Sequence, residues 1–224
     1  MSAPLGRRVE EAFRDFIADP RYPCLAATGV AQRRDYDLHV YGRLGSADSS
    51  TSLGSHLGRF TEAAKSRAAG DSLTAFVAVF TGRPPAGERA FERRLWMTLQ
   101  ALHDREHPST EWDPAVSADP DDSRFSFSFG GCALFVIGLH PNSSRLARRF
   151  RWPALVFNPH QQFERLRHGG HFASLRDRIR ARDRALQGTI NPNLADFGER
   201  SEANQYSGRD TSGAWRCPFH ARKS

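Results

Sequence analysis

FSFSFGGCALFVIGLH, Phe125 to His140, reads as two strands and a turn. Phe and Ser alternate strictly from Phe125 to Phe129, the period of a strand with one face buried. Gly130-Gly131 then turns the chain, and Ala133–Leu139 (ALFVIGL) is too continuously apolar for anything but a buried strand, so the pair is a hairpin. Working outward, Ala154–Phe157 (ALVF) and Leu73–Phe80 (LTAFVAVF) repeat the buried-strand signature, the latter bounded by Asp71-Ser72 and Gly82. Asp37–Leu44 (DLHVYGRL) alternates. Between these runs, apolar residues at helical spacing predict helices over Gly6–Ala18, Ser55–Ala69, Glu88–His107 and Phe172–Leu186, with a short one over Ser144–Arg149. Asp19-Pro20 ends the first helix, and Tyr22-Pro23-Cys24 leads into an extended stretch. Trp112–Asp122 is a Pro/Asp-rich loop. The tail from Gly188 keeps Phe197, Tyr206, Trp215 and Phe219, aromatics that pack such a tail onto the body. With no repeat and no linker, residues 1–224 are expected to form one α+β domain, a mixed or antiparallel sheet flanked by helices.

Composition narrows the function. The 224 residues are 39% hydrophobic with 16 Phe and 4 Trp, which excludes a disordered chain. Three Cys without a CxxC pair exclude a disulfide framework and a Cys-rich zinc site. No apolar run approaches the roughly 18 residues of a membrane span, and the first residues are charged and amphipathic, so a soluble, cytoplasmic protein is expected. The net charge of +7 is almost wholly arginine, only Lys65 and Lys223 being lysines. Eleven of the arginines lie between Arg145 and Arg184 against Glu164, Asp177 and Asp183, and the rest of the chain is nearly balanced. Such a segment attracts phosphates or carboxylates. Its own apolar runs make it part of a core, which weighs against a nucleic-acid surface. No Gly-rich phosphate loop, GxGxxG, GxSxG or HExxH occurs, so NAD, flavin or ATP held by a familiar loop is not expected.

Histidines carry the remaining signal. His160 follows a buried strand in LVFNPHQQFERLR, with Pro159 stiffening the approach and Asn158 able to cap. His140 ends another apolar strand in IGLHPNSSR. Both could face one cleft rimmed by Arg145, Arg148, Arg149 and Arg167, and imidazole facing arginine suits an iron cofactor bearing carboxylates. His103 and His107, four apart on one helix, have a spacing able to bind a transition metal. His168 and His171 flank a Gly169-Gly170 turn. Cys217 in WRCPF is the thiolate candidate, because the adjacent Arg216 would lower its pKa.

Taken together, LWMTLQALH (Leu95–His103), EWDP (Glu111–Pro114), FSFSFGG (Phe125–Gly131), GLHPNSSRLARRF (Gly138–Phe150), PALVFNPHQQFERLR (Pro153–Arg167), the LQG…NPNLADFG stretch (Leu186–Gly198), SEANQYSGR (Ser201–Arg209) and WRCPF (Trp215–Phe219) resemble the YqcI/YcgG family, with Tyr22-Pro23-Cys24 a weaker match. The resemblance implies heme, and an N-oxygenase that oxidises a guanidine-like or 2-aminoimidazole-like nitrogen in a small natural-product pathway. It implies His160 as the axial iron ligand, with His140 and Cys217 as the other two candidates and arginines such as Arg145, Arg149 and Arg167 beside the cofactor. A guanidinium needs a carboxylate to pair with it. Glu164, Glu111, Asp113, Asp196, Glu199 and Glu202 lie in the matching motifs, and Glu164, one helical turn after His160, is taken as the catalytic one. Dioxygen with electrons from a separate reductase, or peroxide, would be the oxidant. A homodimer is compatible with this, and neither nucleic acid nor membrane is an expected partner. A heme-binding sensor or carrier without turnover is the alternative.

Overall fold

The computed structural model describes residues 4–67, 72–106, 109–170 and 172–221. In chain order its elements are α1 (Leu5–Ala18), α2 (Leu25–Arg33), β1 (Tyr36–Tyr41), α3 (Ala47–Lys65), β2 (Ala75–Phe80), α4 (Glu88–Glu106), β3 (Phe127–Phe129), β4 (Cys132–Leu139), β5 (Ala154–Pro159), α5 (His160–His168), α6 (Phe172–Gln187) and α7 (Ala203–Tyr206), with a single 3-10 turn at Leu146–Arg148. The strands form one sheet in the order β1-β2-β5-β4-β3. β1 runs parallel to β2, and every other neighbouring pair is antiparallel, so the architecture is α+β with a mixed sheet.

The hairpin forms where the glycines place it. Gly130 and Gly131 adopt φ of +63° and +65°, a left-handed pair that side chains resist, and Phe127 pairs with Leu134. Gly138 serves closeness instead: a Cβ there would lie 2.5 Å from the Phe91 ring and 2.8 Å from the Tyr206 carbonyl oxygen. The period of two divides β2 between two cores. Phe76, Ala78 and Phe80 join Leu53, Leu57, Phe91, Leu95, Leu99 and Phe157 under α3 and α4. Val77 and Val79 join Val9, Phe13, Ile17 and Leu139 under α1. The tail packs as expected, Phe219 lying buried against Trp96, Trp112 and Phe125.

Several elements depart from the sequence reading. The stretch after Tyr22-Pro23-Cys24 is helix α2 rather than extended chain, and its small residues (LAATG) carry little periodicity. Helix α3 begins at Ala47 rather than Ser55, because Ser46 caps it by accepting from the Ser49 N–H at 3.4 Å and Asp48 occupies the first turn. Residues between Ser144 and Arg149 form only the 3-10 turn. Ala69, His107 and His171 lie outside the described residues.

Candidate functional site: a buried imidazole beside an aromatic chamber

Strand β5 passes directly into α5, so His160 stands where the sheet ends and the helix begins. Gln162 fixes that junction. Its amide accepts from the Thr74 N–H at 2.9 Å and donates to the Thr74 carbonyl at 3.1 Å, tying the first turn of α5 to the chain entering β2. His160 is 3% exposed. Its Nδ1 lies 3.8 Å from Glu164, one turn along α5. Its Nε2 lies 3.4 Å from Glu202 Oε1, in a direction that makes no hydrogen bond, so this buried nitrogen has no partner. The Phe197 ring packs on the imidazole at 4.4 Å.

Phe197 and Glu202 also line a cavity of about 200 Å³ whose walls include Cys24, Phe135, Phe163 and Phe172. A second cavity, of about 160 Å³, shares Cys24, Ala26, Phe135 and Phe163 with the first and continues between α1, α2 and the sheet. Arginines stand at the rim. Arg167 lies over the Phe172 ring at 4.6 Å and pairs with Glu164, while Arg176 and Arg180 both bind Asp196, at 2.5 and 3.2 Å. Cys24 stands at the N-terminus of α2 with the N–H groups of Ala26 and Ala27 directed at its sulfur, yet burial outweighs them and raises its thiol pKa.

The structure brings His160, Glu164 and Arg167 together and places the other expected residues elsewhere. The single cleft facing both histidines does not form. Strands β4 and β5 are antiparallel with Leu139 opposite Ala154 and Leu134 opposite Pro159, so His140 and His160 leave opposite ends of the pair. His140 is fully buried against the Phe91 ring at 4.3 Å with neither ring nitrogen hydrogen-bonded, and burial pushes its pKa down to about 4. It is a neutral core side chain. Arg145 is buried and turned to Asp183 at 2.6 Å and to Thr189, which fastens α6 to the turn after β4. Arg148 donates to the carbonyls of Gly138, Gln205 and Tyr206, and Arg149 to that of Ser143.

A second concavity, a groove of about 710 Å³ at the β3 edge, receives Cys217 and His103 together with Trp112 and Phe219. Its rim is acidic, with Glu106, Glu111, Asp119 and Asp121 against Arg216. Here the expected thiolate is corrected: burial pushes the Cys217 thiol up to about 12, and the exposed Arg216 does not offset it. Among the described residues no cluster of three or more His, Cys, Asp or Glu is disposed to hold a bare metal ion.

Sequence reasoning named Glu202 only as one of six candidate carboxylates and gave Cys24 no role. The i,i+4 pairing of Glu202 with Tyr206 in SEANQY was the available signal, because the tyrosine hydroxyl reaches Glu202 Oε2 at 3.3 Å. The fold sets both apart by bringing them to one cavity with Phe135.

The result is a single-sheet α+β protein with a buried imidazole, its Nε2 without a hydrogen bond, set beside a small aromatic chamber. The model of the YqcI/YcgG family matches residues 13–220, and the chain belongs to that family. It is 28% identical over 144 residues to the uncharacterized protein YcgG of Bacillus subtilis (strain 168), covering 60% of this chain and 55% of that one. To the uncharacterized protein YqcI of the same organism it is 29% identical over 143 residues, covering 60% and 54%. The aligned stretch thus spans about half the length of these relatives. No solved structure matches the chain. Among the described residues no helix is long and apolar enough to cross a membrane.

Proposed function

We propose that this chain is a cytoplasmic heme-dependent N-oxygenase, its cofactor seated against His160 and its substrate a guanidine-like or 2-aminoimidazole-like nitrogen compound of a small natural-product pathway. The observation that carries this reading is the His160 ring, with Nδ1 turned toward Glu164 and buried Nε2 left without a hydrogen bond. In metal-bound imidazoles one nitrogen is turned toward a carboxylate and the other is free for the metal; here the carboxylate stands 3.8 Å from Nδ1, just beyond hydrogen-bond distance. The remaining residues fit the group. Phe135, Phe163, Phe172 and Phe197 offer apolar walls, and Arg167, Arg176 and Arg180 offer forks for propionates. The two cavities, of about 200 and 160 Å³, meet at Cys24, Ala26, Phe135 and Phe163.

When bound, heme supplies the activation of dioxygen or peroxide. The chain's own side chains do the rest. Glu164 sets the orientation of the imidazole, and the phenylalanines keep water from the chamber. Electrons come from a separate reductase, or peroxide serves as oxidant, in keeping with a sequence that carries no nicotinamide or flavin loop.

Absorption spectra of protein expressed with a heme precursor test this directly, in the oxidised, reduced and CO-bound states. A Soret band with a CO complex near about 420 nm, lost in His160→Ala, is the expected result. An unchanged band in His160→Ala removes His160 as ligand. Glu164→Gln should keep the heme and lose turnover, and wild-type kcat/KM in that variant would clear Glu164 of a role. The size of the groove favours a second reading, in which the same cofactor sits there with Cys217 as ligand. A CO band near about 450 nm that disappears in Cys217→Ser would establish that seat. Heme without substrate-dependent oxygen consumption would leave a sensor or carrier.

A further inference from the structure

The arginine-rich segment of residues 145–184 turns several of its charges inward: Arg145 pairs with Asp183, Arg167 with Glu164, and Arg176 and Arg180 with Asp196. A cluster elsewhere has no such partners. Strands β1 and β2 are parallel and end level, Tyr41 opposite Phe80, so the loops that follow them leave side by side. The Thr81 and Gly82 N–H groups donate to the carbonyls of Tyr41 and Gly42 at 3.0 and 2.9 Å. A Cβ at Gly82 would lie 2.8 Å from Arg43 Cα, an approach that only glycine allows. Arg43 stands on the first loop and Arg83 on the second. Arg94, from the second turn of α4, packs on both: its Nη1 donates to the Arg83 carbonyl at 2.9 Å, and its Cβ lies 3.4 Å from where a Cβ at Gly45 would stand. Burial lowers the Arg94 guanidinium pKa, and the charges of Arg43, Arg83 and Arg93 lower it further. Among the described residues no carboxylate pairs with any of these four arginines. Glu88 accepts instead from the Ser144 N–H and hydroxyl at 2.8 and 2.7 Å, and Glu92 binds Arg209 at 2.8 Å. Asp48, in the first turn of α3, is exposed to water.

We infer that the loops after β1 and β2 form an anion site, separate from the chamber, that binds a polyphosphate group through Arg43, Arg83, Arg93 and Arg94. Open sheets of alternating strands and helices place ligands outside the carboxyl ends of their parallel strands, and β1 and β2 are the parallel pair here. Helices α3 and α4 both begin at this end, so their N-termini add to the positive field. The charge selects the ligand. A guanidinium fork matches phosphate oxygens in pairs. A monoanion neutralises one cation of the four, whereas a chain of phosphates carries several charges along its length. Arg93 also lines, with Arg89 and Arg209, an open concavity of about 560 Å³ that gives such a chain room. The Phe80 N–H donates to the Pro153 carbonyl at 2.8 Å, which sets the site at the start of β5, roughly 17 Å along that strand from His160. The site therefore stands independently of any cofactor there.

The probe is sodium tripolyphosphate, titrated calorimetrically into the full chain at about 0.15 M NaCl, with sulfate as the single-anion control. Tripolyphosphate is expected to bind at least about tenfold more tightly than sulfate, and Arg43→Gln, Arg83→Gln and Arg93→Gln combined to lose about tenfold or more of that affinity. All three side chains are exposed, so the combined variant should keep the wild-type unfolding midpoint. Arg8→Gln, at an exposed arginine of α1, should bind within about twofold of wild type. ATP separates the two sources of the group: binding at least as tight as that of tripolyphosphate identifies a nucleotide, and weaker binding a free polyphosphate. No binding of tripolyphosphate at this salt, undiminished binding by the combined variant, or an equal loss in Arg8→Gln would each overturn the site. A random-sequence DNA duplex held more tightly than tripolyphosphate by the same arginines would overturn the small-anion assignment and make this face a nucleic-acid surface.

Discussion

The groove at the β3 edge and the chamber beside His160 are both concave, but they differ in kind. The groove is several times larger, and its acids Glu111, Asp119 and Asp121 are exposed, so water satisfies them. The chamber is small and apolar, with Glu202 buried on its wall, its arginines half-buried and paired, and the His160 Nε2 behind it without a hydrogen bond. Volume measures what could enter. Each borders one buried nitrogen without a hydrogen bond, Trp112 Nε1 at the groove and His160 Nε2 beside the chamber, and of the two only the imidazole can take a metal. Charge agrees with this, because propionates suit the arginine rim of the chamber and not the acidic rim of the groove.

The largest effect should fall on the cofactor. His160→Ala should abolish the Soret band while Cys217→Ser leaves it intact, and the reverse pattern would transfer the cofactor to the groove. Next in size is a stability effect on α6, the helix that forms one wall of the chamber. Asp183→Asn leaves the buried Arg145 guanidinium without its counter-charge and frees the segment at Asn191, whose N–H also binds Asp183. The expected cost is about 3–5 kcal/mol in urea unfolding, accompanied by loss of protection from hydrogen exchange in α6. A loss below about 1 kcal/mol would show that α6 is held by other contacts.

A third prediction separates the two strand-end histidines. The folded pKa of His140, about 4, lies below its ordinary 6.5, so the unfolded chain takes up the proton first. Its contribution is complete above pH 6.5 and is lost as pH falls toward 4, roughly 3 kcal/mol in all. His140→Leu should flatten that part of the stability profile relative to wild type, and parallel profiles would refute a neutral buried ring. The smallest effect belongs to Cys217→Ser, about 1 kcal/mol or less of stability. Rapid alkylation of wild-type Cys217 at pH 8 would contradict a thiol held near 12.

Local pattern revealed most of the fold and little of the site. The hairpin, β2, β5, α1, α4 and α6 were legible because burial on one face imposes a period that short stretches display. α2 and the first half of α3 were not, since Ala, Ser, Thr and Gly occupy them and small residues mark no face. His160 stood out through its strand-end position. What surrounds it did not, because Glu202 and Phe197 reach it from a tail of irregular structure whose path no period describes. The shared cleft for His140 and His160 failed for a topological reason. Two strands that each end in histidine bring the rings together only if they run parallel, and nothing within either strand states its direction.

Tyr206 links the two regions compared above. Its hydroxyl accepts from the Phe127 N–H at 2.9 Å and reaches Glu202, while its ring stacks on Trp96 at 5.7 Å, within the aromatic cluster that extends through Phe219 to the groove. Glu202→Gln is therefore expected to alter Trp96 emission, since Tyr206 touches both the carboxylate and the indole.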